Sequence, residues 1–438
     1  MLPGLSTSGS CCCIFSAIHS DDPMPYRSSA KKTMKLSPLF LLAICIGVPS
    51  PAPAVAADEV AIASKAQLAL YLQSVKPGTS PLDRLSTGGR KRFLAQLDFG
   101  PRGLRSVPLG DAMNDLTHEQ AVALFSLFGV KAYADGVGLS PAQRERIENE
   151  RRLDAKARNC SLDTCPESAI ERHYDDLVLA KSDFSMPDVK RFTLDRQRYD
   201  RLFDDYQTPD AIGVASSPDL RLLKRAAEQA VFFIPDAKHI DQLRLDLAQM
   251  QQRGMAMDSD YGSLYQVFIA SRRFDEAAKL VADHPSMDVE IVPTLKEGES
   301  LPHGWPTALT LDDPQGVMVR QAFDLSAPLR IVVVASCHFS QDAARAIDGD
   351  PQLRSLFADN AIWLASQDES FSSVRKWNQS LPDQIIHIAW QNDEWSMLDS
   401  WAMPTFYVFR HGRLVKKFSG WKDLKTLKES LKQAQAMS

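Results

Sequence analysis

The residues best suited to chemistry lie in the segment IVVVASCHFSQDAARAI, which spans 331–347. Its β-branched run predicts a buried strand, and the helical pattern that follows places Cys337 at the start of a helix. Unpaired N–H groups and the positive end of the helix dipole stabilise a thiolate there. The thiolate is the nucleophile of thiol–disulfide exchange. Cys337 is therefore the candidate nucleophile, and Ser340 stands three residues after it.

An export signal is predicted in MKLSPLFLLAICIGVPSPAPAVAADEV, which begins at Met34. A basic lead-in precedes an apolar stretch at 36–48, and a Pro/Ala-rich tail ends in small residues. This order is typical of a secretory signal peptide, and the apolar stretch is shorter than the about 20 residues that span a bilayer. We expect a signal peptide at 34–57, an upstream leader at 1–33 that is removed or not translated, and a periplasmic location. A lipoprotein anchored at Cys45 is the alternative.

Removal of this leader leaves three cysteines, Cys160, Cys165 and Cys337. Because an exported protein enters an oxidising compartment, two of the three are expected to pair. The segment CSLDTC predicts a short disulfide loop, with a helix starting at Pro166 and Cys165 at or beside its N-cap. A structural clip and a redox-active pair both remain open. Only His173 lies nearby as a further metal ligand, so no metal site is predicted.

Length and composition predict more than one domain. The chain has 438 residues and a net charge of −5, which is enough for two or three domains and argues against a nucleic-acid-binding protein. All seven tryptophans lie beyond residue 300. This shift in composition predicts a helical domain of unknown function at 58–300 and a second domain at 305–438.

Helical periodicity dominates the first of these domains. Apolar residues recur at three- and four-residue spacing in four segments, 64–75, 117–134, 141–159 and 217–234. The segment 262–285 predicts a helix pair of the tetratricopeptide kind. Since no second copy follows at a fixed period, we expect an ordinary α-hairpin.

Strands and helices alternate in the second domain. Strands are predicted over 330–336, 361–366 and 383–390, with helices at 337–347 and 370–381. A short helix is predicted over 397–402, then a hairpin over 404–421 that turns at His411-Gly412, and a helix over 422–435. The fold class is therefore α + α/β, with an N-terminal all-helical domain and a C-terminal three-layer α/β/α domain.

Two landmarks of this second domain resemble the thioredoxin family. One is VVVASCHFS, a strand that ends in a cysteine at a helix start, and the other is AMPTFYVFRHGRLVKKFSGW, a proline loop followed by a hairpin. The resemblance covers 305–438 and implies a thioredoxin-like fold with a cis-proline loop. It also implies that Met403, Pro404 and Thr405 form the substrate-binding surface beside Cys337.

The segment departs from the family pattern at three points. The family motif is C-x-x-C, whereas this chain has CHFS, and the hydroxyl of Ser340 cannot form a disulfide. Ser336 replaces the usual tryptophan before the cysteine, and RIVVVA lacks the acid often found in that strand. The spacing also resembles monothiol glutaredoxins, but His338 stands where their motif has glycine. No cofactor is predicted.

Three interpretations of Cys337 follow. It forms mixed disulfides that a second thiol resolves, or the CSLDTC cysteines supply the resolving sulfur, or the domain has lost redox chemistry and binds partners. His338 either raises the thiolate fraction or is an exposed residue without a catalytic part. Ser340 either bonds the thiolate or stabilises the first helical turn. Trp401 is either a substrate contact or a core residue.

The sequence thus predicts an exported thioredoxin-like protein that carries out monothiol thiol–disulfide exchange or captures client proteins through Cys337. Its expected partners are clients that bear thiols or disulfides, or a redox protein that resolves the mixed disulfide. Neither nucleic-acid binding nor a transmembrane span after signal cleavage is expected. The alternative is a redox-inactive binding or scaffold protein of the cell envelope.

Overall fold

The computed structural model describes residues 61–434 except 102, 136–137, 182, 184–185, 187, 234–235, 299 and 313–315. The predicted leader and signal peptide lie outside the described residues. The chain forms two compact units that divide between Asn149 and Glu150. We call them the first unit and the second unit.

The first unit is mainly helical, with one small β-hairpin. Its elements are α1 (Lys65–Ser74), α2 (Thr87–Gln96), β1 (Asp98–Gly100), β2 (Gly103–Ser106), α3 (Gly110–Asp115), α4 (His118–Ser126) and the start of α5 (Pro141–Ala157). Phe93, Leu124 and Phe125 lie at the centre of its apolar core. A buried ion pair, in which Arg92 Nη2 lies 3.0 Å from Asp111 Oδ1, joins α2 to α3.

Two sequence predictions in this unit need correction. The single helix expected over 117–134 ends at Ser126, because Gly129 adopts a positive φ of 70° and a separate 3₁₀ turn follows at Lys131–Ala134. The domain expected at 58–300 is not all-helical, because it contains the β1–β2 hairpin, whose strands of three and four residues are too short to show alternation. The helix expected over 64–75 is confirmed by α1.

The second unit begins with a helical bundle. It contains the end of α5, then α6 (Ala169–Val178), α7 (Asp188–Phe203), α8 (Pro209–Val214), α9 (Ser217–Phe233), α10 (Ala237–Gln252), α11 (Gly262–Ala270) and α12 (Phe274–Asp283). Helix α9 contacts α6, α7, α10 and α11, and its Leu223, Ala226 and Ala227 are fully buried. The helices expected over 141–159 and 217–234 and the α-hairpin over 262–285 are therefore confirmed.

The disulfide between Cys160 and Cys165 is present, as predicted. The helix start expected at Pro166 is wrong, because α6 begins at Ala169 with Ser168 as its N-cap. The hydroxyl of Ser168 accepts a hydrogen bond of 2.9 Å from Glu171 N, the ordinary role of an N-cap serine. Cys165 therefore lies three residues before the N-cap.

An eight-stranded mixed sheet completes the second unit. Its elements are β3 (Thr294–Glu297), β4 (Thr307–Asp312), β5 (Val317–Ala322), β6 (Arg330–Val334), α13 (His338–Asp348), α14 (Pro351–Asn360), β7 (Ala361–Ala365), α15 (Phe371–Ser380), β8 (Ile386–Ala389), β9 (Thr405–Arg410), β10 (Arg413–Ser419) and α16 (Leu424–Gln433). The strand order is β10-β9-β6-β7-β8-β4-β5-β3. Strand β6 is parallel to β7 and antiparallel to β9.

Strand β6 is buried on both faces of this sheet. Ile331 and Val333 belong to the large apolar cluster shared with the helices, whereas Val332 and Val334 belong to a smaller cluster on the opposite face that includes Trp395. This period-two division explains why the strand reads as a continuous apolar run.

The predicted strands and helices from 330 onward are confirmed except for the short helix over 397–402. That segment is not helical, because side chains satisfy its backbone, as where Ser400 N donates to Tyr407 Oη at 3.0 Å. Strands β3 to β5 and helix α14 were not predicted.

The class α + α/β describes the chain. The domain limits expected at 58–300 and 305–438 stay a prediction. The helical bundle and the sheet of the second unit share one apolar cluster.

Arg272 joins the bundle to the sheet within the second unit. It lies in the turn between α11 and α12 with a positive φ of 60°. Its Nε donates to Trp390 O at 2.7 Å, and its guanidinium also bonds the carbonyl of Ala389 at the end of β8 and lies 5.6 Å from the Trp390 ring. One partly buried side chain thus bonds a strand end and its own helix turn together.

Asp246 on α10 is the most deeply buried carboxyl of the bundle. It is fully buried, and Gln207 Nε2 donates to its Oδ2 at 3.0 Å. Its Oδ1 and the Oε1 of Gln207 have no hydrogen-bond partner in the described residues. Lys224, the cation that acts on it, is bonded instead to Glu228 and Asp260. Burial therefore raises the pKa of Asp246 to about 8.

We predict that Asp246→Asn changes how stability depends on pH. An unfolded Asp titrates near about 3.9, so between about pH 4 and pH 8 the folded wild-type protein binds the extra proton and its stability falls as pH rises. The amide does not titrate. In urea unfolding, the difference in unfolding free energy between the variant and wild type should shift in favour of the variant by roughly 2–4 kcal/mol as the pH rises from about 5 to about 8.

The matched control for this prediction is Asp241→Asn on the same helix, since Asp241 is 70 % exposed. Its unfolding free energy should follow the wild-type pH dependence. A difference between Asp246→Asn and wild type that stays constant across this pH range would contradict the prediction.

Candidate functional site

Cys337 lies in the turn between β6 and α13. The strand ends at Val334, and Cys337 is the N-cap of α13, with φ −72° and ψ 166°. Its thiol is free, partly buried, and not used to cap the helix. The side chain is therefore not engaged in capping and is available at the N-terminus of α13.

Ser340 lies directly beside the thiol. It belongs to the buried face of α13 with Ala343, Ala344 and Ile347, and its Oγ is 3.3 Å from Cys337 Sγ. Of the two interpretations of Ser340, the hydrogen bond to the thiol is the one observed. The neighbouring His338 is exposed.

Sheet pairing places the proline loop against this turn. In the β6–β9 register Val334 is opposite Thr405, so the residues before Thr405 lie next to those after Val334. Ser336 Oγ donates to Met403 Sδ at 3.1 Å. The Met403–Pro404 peptide bond is cis, as the resemblance implied.

The loop residues differ in how much they present to solvent. Pro404 and Thr405 are buried, and Thr405 Oγ1 donates to Ala402 O at 2.6 Å. The accessible part is formed by Ala402, which is exposed, and by Trp401 and Met403, which are partly buried. Thr405 therefore shapes the loop from within, and its side chain is not available to a substrate.

Trp401 is in part a core residue, and its role as a substrate contact stays a prediction. Its side chain packs against the apolar cluster that contains Val334 and Tyr407, but it is not fully buried. Part of the ring therefore remains accessible next to Ala402.

Glu369 is a site residue that the sequence analysis missed. It follows β7, and its carboxylate accepts a hydrogen bond from Ser370 N at 3.2 Å. Burial raises the pKa of Glu369, and this hydrogen bond and the nearby hydroxyls of Ser336 and Ser373 partly oppose the shift. The position of Glu369 directly after a strand could have predicted its place in the site. Strand β7 is parallel to β6, and the carboxyl ends of parallel strands meet at one edge of a sheet.

Cys160 and Cys165 are bonded to each other, and neither is bonded to Cys337. In the described residues no group of three or more His, Cys, Asp or Glu side chains is placed to hold a metal ion. None of the helices in this part of the chain is long and apolar enough to cross a membrane.

Comparison with protein-family models, curated proteins and solved structures found no match to this chain. The partly buried thiol of Cys337 contacts the Ser340 hydroxyl. The residue before it, Ser336, contacts Met403 of the cis-proline loop and lies near Glu369.

We predict that Glu369→Gln increases the rate at which iodoacetamide labels Cys337 at about pH 8. Ionised Glu369 opposes a second negative charge on the thiol, and charges several Å apart in a partly wet site interact by about 0.5–1 kcal/mol. The amide keeps the hydrogen-bonding shape without the charge. The rate should rise roughly two- to fivefold.

The control is Asp383→Asn, which removes an exposed carboxyl beyond the end of α15. It should leave the labelling rate near that of wild type. A rate for Glu369→Gln equal to or below the wild-type rate would show that Glu369 does not act on the thiol.

Proposed function

We propose that this is a thioredoxin-like protein whose Cys337 carries out monothiol thiol–disulfide exchange or captures clients as mixed disulfides. The proposal rests on the contact between the turn that bears Cys337 and the cis-proline loop. In this contact Ser336 Oγ lies 3.1 Å from Met403 Sδ. The strand order β10-β9-β6-β7, with a helix after β6, supports a thioredoxin-like arrangement of these elements.

The exchange step is balanced without any cofactor. The Cys337 thiolate attacks one sulfur of a client disulfide, a new S–S bond forms, and the other client sulfur leaves with the electron pair and takes up a proton. Cys337 sulfur is oxidised and the leaving sulfur is reduced. Since Ser340 cannot displace the client, the mixed disulfide persists until an outside thiol attacks it.

The partners in this proposal are client proteins with disulfides or thiols and a separate thiol that resolves the product. An exported, periplasmic location suits this chemistry, and the Cys160–Cys165 disulfide is typical of such a compartment. Because the pair is already closed, it provides no free thiol to resolve a mixed disulfide at Cys337.

The proposal is tested by the reactivity of Cys337 in the full chain. We expect fast iodoacetamide labelling at about pH 7 relative to a free peptide thiol, and covalent client adducts in cells that are lost on reduction and absent in Cys337→Ser. A thiol that labels more slowly than the peptide and traps nothing would overturn the redox proposal. That outcome would leave the alternative, a redox-inactive binding or scaffold protein.

We predict that Ser340→Cys converts the site from capture to turnover. The Cys337 Sγ to Ser340 Oγ distance of 3.3 Å means that a sulfur at position 340 needs only a small shift to reach the S–S length of about 2.05 Å. The variant should form an internal disulfide and reduce insulin at least about tenfold faster than wild type, because the second thiol releases the product.

Ser340→Ala is the matched control, since it also removes the hydroxyl but adds no thiol. It should stay as slow as wild type in insulin reduction. Equal rates for Ser340→Cys and Ser340→Ala would show that the site does not support dithiol exchange.

A further inference from the structure

The edge of the sheet at β10 is strongly basic. The segment 410–433, which contains β10 and α16, holds eight Lys and Arg residues but only two Asp and Glu residues. The whole chain, by contrast, has a net charge of −5. A concentrated positive region on a negatively charged protein attracts anionic partners to one side of the molecule.

Strand β10 and helix α16 lie side by side at this edge. Strand β10 is the terminal strand of the eight-stranded sheet. Lys416 Nζ on β10 donates to Gln433 Oε1 at the end of α16 at 3.1 Å, so the two segments share one surface. Helix α16 buries Leu427 and Leu431 and leaves two of its three lysines exposed.

Only some of the cations at this edge are used within the fold. Lys417 forms an ion pair with Asp399, and Lys428 forms one with Asp350. Four others are exposed and form no ion pair in the part of the chain that the structure describes, namely Arg413, Lys422, Lys425 and Lys432. Because the segment has only two carboxyls, this positive charge stays in excess.

Two apolar side chains lie next to these charges. Leu414 is 44 % exposed and Val415 is 46 % exposed. Neighbours in a regular strand point to opposite faces, but the register of β10 against β9 shifts between Leu414 and Lys416, where both apolar side chains reach solvent. We call these two residues and the four cations the basic edge. Apolar side chains that enter the interface, together with cations that attract anionic headgroups, are what binds an interfacial segment to a membrane.

A strand added from another polypeptide fits this edge poorly. The shifted register interrupts the hydrogen-bond ladder that a partner strand would extend, and lysines on an edge strand discourage pairing. A lipid surface needs no register, because it contacts side chains rather than the backbone. Lys425 and Lys432 also lie on α16, outside any strand that such pairing would involve.

We propose that the basic edge binds anionic lipid headgroups and holds the protein against a membrane surface, with Leu414 and Val415 entering the interface. This inference goes beyond the proposed function and does not use the thiol. Each Lys or Arg close to an anionic membrane strengthens binding about fivefold. The attraction falls off within about 10 Å at about 0.1 M salt, so it acts only on the side that bears the edge.

The experiment is sedimentation of the full-length protein with vesicles of phosphatidylcholine alone or with about 30 % phosphatidylglycerol, an anionic lipid. Wild type should bind the anionic vesicles at least about fiftyfold more tightly at about 0.1 M salt, and about 0.5 M salt should remove most of this difference. The apolar stretch at 36–48 meets both kinds of vesicle and is the same in every variant, so it does not produce the difference.

The charge variant replaces three cations of the basic edge with serine, as Arg413→Ser, Lys425→Ser and Lys432→Ser. Its binding to anionic vesicles should weaken at least about twentyfold, with no change on neutral vesicles. The matched control makes the same change in charge at exposed lysines elsewhere in the second unit, as Lys279→Ser, Lys296→Ser and Lys376→Ser. It should bind within about threefold of wild type.

The apolar variant combines Leu414→Ser with Val415→Ser and should weaken binding to anionic vesicles about tenfold. Its control combines Val214→Ser with Ile291→Ser, since these side chains are 86 % and 83 % exposed, and should bind like wild type. Because all the replaced side chains are exposed, every variant should unfold at the wild-type temperature.

Equal binding of wild type to the two kinds of vesicle would overturn the proposal, as would an equal loss in the charge variant and its control. A soluble poly-glutamate peptide should not displace the protein from anionic vesicles. If it binds as tightly as the vesicles and displaces them, the basic edge recognises an acidic polypeptide and the lipid assignment is wrong.

Discussion

The antiparallel pairing of β6 with β9 is the constraint on which the candidate site depends. The opposition of Val334 and Thr405 joins the end of one strand to the beginning of another that lies far along the chain. Both strands are buried on two faces, and a shift by one residue would exchange every inward side chain. The register is therefore fixed by packing, and with it the contact between Ser336 and Met403.

The second unit adds a different kind of constraint, which is polar. Arg272 bonds carbonyls at the end of β8 and in its own helical turn, so the bundle and the sheet share hydrogen bonds as well as an apolar cluster. Buried polar groups of this kind are costly unless they are satisfied. They therefore restrict how the bundle packs on the sheet. Asp246 shows the cost of burying a carboxylate without a charged partner, because burial raises its pKa.

The thiol site combines groups from separate segments of the chain. Cys337 and Ser340 lie at the start of α13, and Glu369, which follows β7, lies near Ser336. The Ser340 hydroxyl contacts the sulfur without being able to bond to it covalently. In the function proposed above, this arrangement favours capture over turnover, because a hydroxyl cannot release a mixed disulfide.

The sequence by itself determined the local features of this protein. The apolar run of β6, the cysteine at a helix start and the hairpin after Pro404 each depend on residues close together in the chain, so periodicity and turn residues are sufficient to predict them. Strands β3 to β5 were missed. Strands β3 and β4 pair with β5 and β8 farther along the chain, whereas β4 and β5 also form a local hairpin. Only the tertiary structure decided that Glu369 reaches Ser336, that Thr405 turns inward and that Leu414 and Val415 stay exposed. These depend on contacts between segments far apart in the sequence, which no local pattern records.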